Sequence, residues 1–202
     1  MMLPRVPMLN PSQPAPPPSS TLSGAGEVDP VLMGSDYLQR LRQLAIAPDM
    51  IQLPEEMSRR LQINRWIGLH VERVNAQLRQ FLAACQDCFQ PGQQLLAEVL
   101  AAPIAERYGI DALCNLQVQP VTLLIDVGQI APADWQAAVV HEYAHAQVGL
   151  PGHDPSFRQV LSHLCLGLAL PPPPTTLTDA ELSSWPPCRR QANKYSFWEG
   201  KL

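Results

Sequence analysis

Residues 135–157 read WQAAVVHEYAHAQVGLPGHDPSF, and this stretch carries the clearest signals of local structure in the chain. From Pro132 to Gly149 the sequence contains no other proline or glycine, and apolar residues occur on every side of the predicted helix, as in a buried helix. The two glycines of GLPG permit a tight turn back toward that helix. Asp154 and Pro155 are typical of the N-cap and the first residue of a second helix. We therefore expect two packed helices joined by a short turn.

The first of these helices carries an HExxH motif at residues 141–145. His141 and His145 are one helical turn apart, so both imidazoles can reach one ion on the same side of the helix. Glu142 lies off that line but close enough to hold a metal-bound water, whose proton it can take as the water attacks a carbonyl. The alternative is a core helix with hydrogen-bonded histidines. Burial of two histidines and a glutamate is costly without a partner, and a metal would supply one.

A catalytic zinc site of this kind needs a third protein ligand. The longer metzincin pattern would place glycine at position 148 and histidine at 151, and the sequence has Val148 and Pro151 instead, which excludes that family. His153 lies just ahead of the second helix, where a ligand can be held rigidly. His163 is the competing candidate, but it projects away from the apolar stripe of that helix. We therefore expect His153 to complete the site.

The segment HEYAHAQVGLPGHDPSF resembles the SprT-like zinc metallopeptidases, whose pattern is HExxH, a short variable turn, and a GH followed by an aromatic residue. The resemblance covers about residues 92–170. It implies a small zincin-like core that consists of a packing helix, a short sheet, the HExxH helix and a further helix. It also implies one zinc ion, with His141, His145 and His153 as ligands and Glu142 as the catalytic base. The chain departs from the family in having an aspartate after the third histidine, where glycine is common, and in lacking a four-cysteine zinc ribbon after the core.

The overall composition sets limits on the class of protein. Of 202 residues, 46% are apolar and 16% are charged, and the formal net charge is -4, so a uniformly basic nucleic-acid binder is excluded but a local basic patch is not. No stretch approaches the roughly 20 apolar residues of a membrane span, and the N-terminus has no apolar region typical of a secretory signal. The five cysteines argue for reduced thiols. We expect a cytoplasmic protein that does not contact a membrane.

The pattern along the chain predicts an α+β fold that is mostly helical. Proline is concentrated toward both ends, where a packed core is not expected. We expect four parts: a disordered Pro-rich tail (residues 1–30), a helical N-terminal region (31–91), the SprT-like core (92–170), and a Pro-rich joint with a basic and aromatic C-terminal tail (171–202).

Three helices and one strand are predicted outside the motif. Leucines at three-residue spacing predict a helix capped by Ser35 or Asp36. A proline followed by two glutamates begins a long helix over residues 54–89, for which a break near Asn64 stays open. Another helix is expected from Gln93 to Arg107. The alternating segment VTLLIDV at residues 121–127 predicts a strand, and we expect this strand to offer its edge to an extended substrate.

The C-terminal sequence CRRQANKYSFWEGKL, residues 188–202, interleaves basic and aromatic residues. This composition suits weak contact with single-stranded nucleic acid, and it equally suits a tail that folds back on its own domain. We favour the fold-back because exposed aromatic residues are a liability. We expect the tail from about Thr175, which follows a run of four prolines, to control access to the active site rather than to contribute to the core.

Cys85 and Cys88 form a CxxC pair near the end of the long predicted helix. A second zinc site would need two further ligands, and the other three cysteines are single and scattered. We therefore interpret the pair as helix-end thiols.

Two functions from different classes agree with these observations. The first is a zinc-dependent peptidase that acts on protein or peptide substrates, including DNA-associated proteins. The second is a non-catalytic zinc-stabilised module that recruits partners through its termini. Glu142 discriminates between them, because a structural zinc site has no need of a carboxylate beside its first ligand and normally closes its fourth position.

Overall fold

The computed structural model describes residues 28–44 and 47–201, which form an α+β fold made mostly of helices around a three-stranded sheet. Residues 1–27 of the predicted disordered tail lie outside the described residues. No helix in the described part is long and apolar enough to cross a membrane. The elements are α1 (Pro30–Arg42), α2 (Met57–Asp87), β1 (Ala97–Ala101), β2 (Ala112–Asn115), β3 (Val121–Ile125), α3 (Trp135–Val148), α4 (Pro155–Gly167), α5 (Asp179–Leu182) and α6 (Lys194–Trp198).

Helix α1 begins earlier than its leucine spacing predicted. Asp29 is the N-cap, and its side chain accepts a hydrogen bond from the Val31 amide at 2.9 Å. Pro30 occupies the first turn, where its missing N–H costs nothing. The predicted caps Ser35 and Asp36 are therefore wrong, because both lie inside the helix.

Helices α1 and α2 cross with their backbones in contact. A Cβ atom at Gly34 would lie 1.9 Å from the Asn64 carbonyl oxygen, and one at Gly68 would lie 2.0 Å from that of Pro30. Only glycine fits at either position. Helix α2 passes through Asn64 without a break and ends near Cys88, which confirms the long helix and places Cys85 and Cys88 at its C-terminal end.

The helix predicted from Gln93 to Arg107 is wrong, because this stretch contains strand β1. The strand pairs in parallel with β3, with Ala97 opposite Val121, and Val99 is fully buried. Alanine, leucine and glutamate favour a helix in isolation, but pairing and burial against the central strand override that weak local preference.

Strand β3 is the centre of the sheet, whose order is β1-β3-β2. All five of its residues are buried, which confirms the strand predicted in VTLLIDV. The expectation that this strand offers a free edge is wrong, since β1 pairs with it on one side and β2 on the other. The sheet edge beside the motif helix belongs instead to β2, which pairs antiparallel with β3.

Helices α3 and α4 confirm the two-helix prediction. Most of α3 is buried, and Gly149 ends it with a left-handed φ of 72°. Asp154 caps α4 by accepting a hydrogen bond from the Phe157 amide at 3.0 Å, and Pro155 is the first helical residue. These local signals place the turn that carries His153 directly against α3.

The C-terminal segment, residues 171–201, folds back onto the domain. Leu182 and Trp198 are fully buried in the core, and Lys194 is 3% exposed. Residues flanking Arg190 form an antiparallel bridge with those flanking Ile130. The preference for a folded-back tail is confirmed, and the expectation that the tail does not contribute to the core is wrong.

A buried polar cluster anchors this segment at the end of β3. The Asp126 carboxylate accepts hydrogen bonds from the amides of Ile104 and Gly128, at 3.0 and 3.2 Å, and from the Trp198 indole at 3.4 Å. The Lys194 ammonium lies 3.8 Å from the same carboxylate and donates to the Ile104 carbonyl. Burial raises the pKa of Asp126 to about 6, against the opposing charge of Lys194. The cluster fixes α6 to the sheet.

Candidate metal centre

Three histidine side chains converge near the turn between α3 and α4 and form a histidine cluster. His141 and His145 lie one turn apart on α3, and His153 comes from the turn just before α4. Their ligand atoms all lie within 4.8 Å of one another, and the Nε2 atoms of His141 and His153 are 3.2 Å apart. Within residues 28–44 and 47–201, this is the group of metal-ligating side chains that is close enough to hold one ion. The structure thus brings together the three residues that the sequence predicted.

Two of these imidazole rings are hydrogen-bonded through Nδ1 to backbone carbonyl oxygens. His141 Nδ1 lies 2.7 Å from the Trp185 carbonyl oxygen, and His145 Nδ1 lies 3.1 Å from that of Leu150. A carbonyl oxygen can only accept a hydrogen bond, so in each ring Nδ1 is the protonated nitrogen and Nε2 keeps its lone pair. Metal-ligating histidines in proteins are oriented in the same way.

Phe157 packs against all three histidines from the first turn of α4. Its ring centroid lies 4.3 Å from that of His145, 4.7 Å from that of His153 and 5.1 Å from that of His141. Phe157 itself is fully buried. The aromatic residue that follows the GH pair is therefore the packing support of the cluster, and it restricts the rotation of each imidazole.

Burial keeps the histidines neutral. It lowers the pKa of His141 to about 4, against the hydrogen bond to Trp185, and it also lowers the pKa values of His145 and His153. Neutral imidazole is the form that binds a metal. Three neutral nitrogen donors without an acidic partner among them fit a divalent transition metal better than magnesium or calcium, which prefer oxygen ligands.

Glu142 lies beside the cluster and is 7% exposed. Burial raises the pKa of its carboxyl to about 8, and a hydrogen bond from the Cys114 amide opposes the shift.

The cluster lies in a cleft of about 570 Å³. It is lined by strand β2 and the loop before it, by the α3 residues Ala137 and Ala138, and by residues 183–188 of the C-terminal segment. The Asp111 carboxylate and the Arg190 guanidinium also line the cleft, but they pair with each other at 2.8 Å. Most of the other side chains that line the cleft are apolar.

His163, the competing third ligand, lies outside the cluster. Its Nε2 donates to the Cys88 carbonyl oxygen at 2.8 Å, and its ring packs 5.0 Å from that of Phe89.

Sequence reasoning missed the contributions of Trp185 and Cys114. Both act through backbone groups, which leave no signature in side-chain identity.

The basic residues of the C-terminal segment are engaged with carboxylates. Arg189 pairs with Asp134 at 2.8 Å, and Lys201 pairs with Glu199 at 2.5 Å. The predicted contact with nucleic acid stays a prediction, as does the predicted control of access.

Comparison of the chain with protein-family models, curated proteins and solved structures finds no match.

Proposed function

We propose that this protein is a zinc-dependent peptidase with a zincin-like core of the SprT-like type. The observation that carries the proposal is the combination of three convergent histidine nitrogens with a buried glutamate in one open cleft. The family resemblance in HEYAHAQVGLPGHDPSF agrees with it, since the three histidines and Glu142 are the residues that match the family pattern.

Zinc suits the donor set. Tetrahedral zinc with Zn–N bonds of 2.0–2.1 Å separates its nitrogen ligands by about 3.3 Å. The 3.2 Å between the Nε2 atoms of His141 and His153 agrees with this value. The backbone carbonyls that fix His141 and His145 supply the second layer of support that such sites use.

A catalytic role is favoured over a structural one. A structural zinc site has four protein ligands, whereas the group found in the described residues has three histidines. The neighbouring Glu142 has no cation beside it that would explain its burial as an ion pair within the described part of the chain. A general base is the role that explains a buried carboxyl at this position.

Zinc bound by these histidines would supply Lewis acidity, which lowers the pKa of a water and polarises a peptide carbonyl. Glu142 would take a proton from the attacking water as the new C–O bond forms. The same carboxyl would then deliver that proton to the leaving nitrogen as the C–N bond breaks, so that one water is consumed for each peptide bond.

The lining of the cleft supports an extended polypeptide as the substrate. Three of the four β2 residues, Ala112, Leu113 and Cys114, line the cleft, and an extended chain can add to an edge strand through backbone hydrogen bonds. Residues 183–188 also line the cleft, and most of the lining side chains are apolar, which favours apolar side chains in the substrate. An unfolded segment of a protein meets these conditions.

Zinc binding tests the proposal. The wild-type protein should bind one zinc ion, and replacement of His141, His145 or His153 by alanine should remove most of the metal, since a two-ligand site is much weaker. His163→Ala is the matched control and should retain full zinc. Metal analysis after dialysis, combined with cleavage of unfolded casein, measures both. Full zinc in His153→Ala with loss in His163→Ala would contradict the site, and zinc-loaded protein that cleaves no unfolded substrate would contradict the activity.

A further inference from the structure

The C-terminal segment contacts the metal centre through one backbone group. The Trp185 carbonyl oxygen accepts a hydrogen bond from His141 Nδ1 at 2.7 Å, across 44 positions of sequence. This contact leaves Nε2 as the unprotonated nitrogen of His141, and Nε2 is the atom that faces His153. The orientation of a ligand on α3 is thus set by a residue that lies far from it in the chain.

The position of this carbonyl is fixed on its N-terminal side. The Trp185 amide donates to the Leu182 carbonyl oxygen at 3.0 Å, and Leu182 is fully buried. The Trp185 indole N–H donates to the Pro171 carbonyl oxygen at 3.2 Å. Backbone and side chain of Trp185 are therefore both tied to neighbouring parts of the C-terminal segment.

The same carbonyl is fixed on its C-terminal side by pairing with the loop ahead of α3. The Ala131 amide donates to the Arg189 carbonyl oxygen at 2.9 Å, and the Gln191 amide donates to that of Gln129 at 2.8 Å. The Asp134 carboxylate accepts hydrogen bonds from the Arg189 amide and guanidinium at 2.8–3.0 Å. The chain on both sides of the carbonyl is held, so the acceptor is in place before any metal binds.

We propose that Trp185 is a positioning residue of the metal centre, whose carbonyl oxygen holds His141 in the tautomer protonated at Nδ1 and so makes the C-terminal segment necessary for tight metal binding. The proposal rests on the metal-binding part of the proposed function and is independent of whether the protein cleaves peptides. Loss of such an outer partner typically weakens metal affinity by about 10- to 100-fold.

The tautomer can be measured in the metal-free protein. Nitrogen-15 NMR of protein labelled at its five histidines distinguishes the protonated ring nitrogen of each residue. His141 should be protonated at Nδ1, and His163 is an internal control that should be protonated at Nε2, because its Nε2 donates to a carbonyl. Protonation of His141 at Nε2 would overturn the proposal.

Two variants at position 185 test the consequence for metal binding. Trp185→Gly removes the indole anchor and frees the backbone, so zinc affinity measured by chelator competition should fall about 10- to 100-fold, with loss of the Nδ1 tautomer at His141. Trp185→Phe keeps the ring packing and should retain most of the affinity. Ile63→Val, a change at a fully buried position of α2, controls for general destabilisation and should lower the melting temperature without weakening zinc binding.

Unchanged zinc affinity in folded Trp185→Gly would overturn the proposal. Failure of the peptidase proposal has a different signature, which is normal zinc affinity in the wild type without turnover. If Trp185→Gly does not fold, the tautomer of His141 in the wild-type protein still decides the question.

Discussion

Two regions of the chain meet at the metal centre, and each is fixed in position by a different kind of contact. The region from α3 to α4 supplies all three histidines within 13 consecutive residues, and its shape follows from Gly149, Asp154 and Pro155. The C-terminal segment supplies the Trp185 carbonyl and part of the cleft lining, and its place is fixed by contacts with residues far away in the chain, such as Lys194 with Asp126. Local signals thus form the ligand set, and long-range contacts orient it.

This difference predicts different responses to mutation. A change in the α3–α4 turn should disturb the metal site and leave most of the core in place. A change in the anchors of the C-terminal segment should disturb the core and the metal site together, because the same segment serves both.

Deletion of residues 175–202 should have the largest effect. It removes Leu182, Trp198 and Lys194 from the core and leaves Asp126 buried without its cation. Folded domains are stable by only about 5–15 kcal/mol, so the truncated chain should lose its cooperative unfolding transition and its zinc. Circular dichroism on heating and metal analysis measure the two losses. A truncated protein that stays folded with full zinc would show that the two regions are independent.

Lys194→Met should be the next largest change. Removing one partner of a buried ion pair typically costs about 3–5 kcal/mol, because the other charge stays buried. The pKa of Asp126 is already raised to about 6, so the cost of its ionised form is fully present above pH 6 and is relieved as the pH falls below that value. Loss of the Lys194 charge raises this pKa further. The decrease in the free energy of unfolding of the variant, relative to the wild type, should therefore be larger at pH 8 than at pH 5.

Urea unfolding of wild type and Lys194→Met at both pH values measures that difference. The double variant Asp126→Asn/Lys194→Met should recover part of the lost stability, since neither charge is then buried alone. A deficit that is larger at pH 5 than at pH 8 would contradict the burial argument.

Asp154→Ala should produce a smaller and more local effect. Loss of an N-cap costs about 0.5–2 kcal/mol, and here the capped turn directly follows His153. Zinc affinity should therefore fall more than the modest loss of stability would suggest. Asp154→Asn keeps an N-cap acceptor and is the matched control. Equal zinc affinity in all three proteins would mean that the cap does not hold the ligand in place.

Arg190→Ala should have the smallest effect. Its guanidinium is 56% exposed and pairs with Asp111 at the rim of the cleft, and exposed pairs of this kind contribute about 0–1 kcal/mol. The backbone pairing at Arg190 does not need its side chain. The melting temperature should fall by only a few degrees. A large fall would indicate that the ion pair, rather than the core contacts, holds the C-terminal segment in place.

The same comparison explains what the sequence could predict. The HExxH helix, the turn and the following helix were predictable because each signal acts within about one helical turn, as with Asp154 and Phe157. Strand β1 was not predictable, because its residues favour a helix until β3 pairs with them. The Trp185 contact left no signal, since a backbone carbonyl is present at every residue and only the fold selects this one.

Turnover by Glu142→Gln tests the central claim most directly. The amide keeps the shape of the side chain but cannot act as a base, so the zinc-loaded variant should cleave unfolded casein about 10²- to 10⁴-fold more slowly than the wild type, with unchanged zinc content and melting behaviour. Glu98→Gln, at an exposed position on β1, is the matched control and should cleave at the wild-type rate. Wild-type turnover by fully zinc-loaded Glu142→Gln would contradict the assignment of Glu142 as the base.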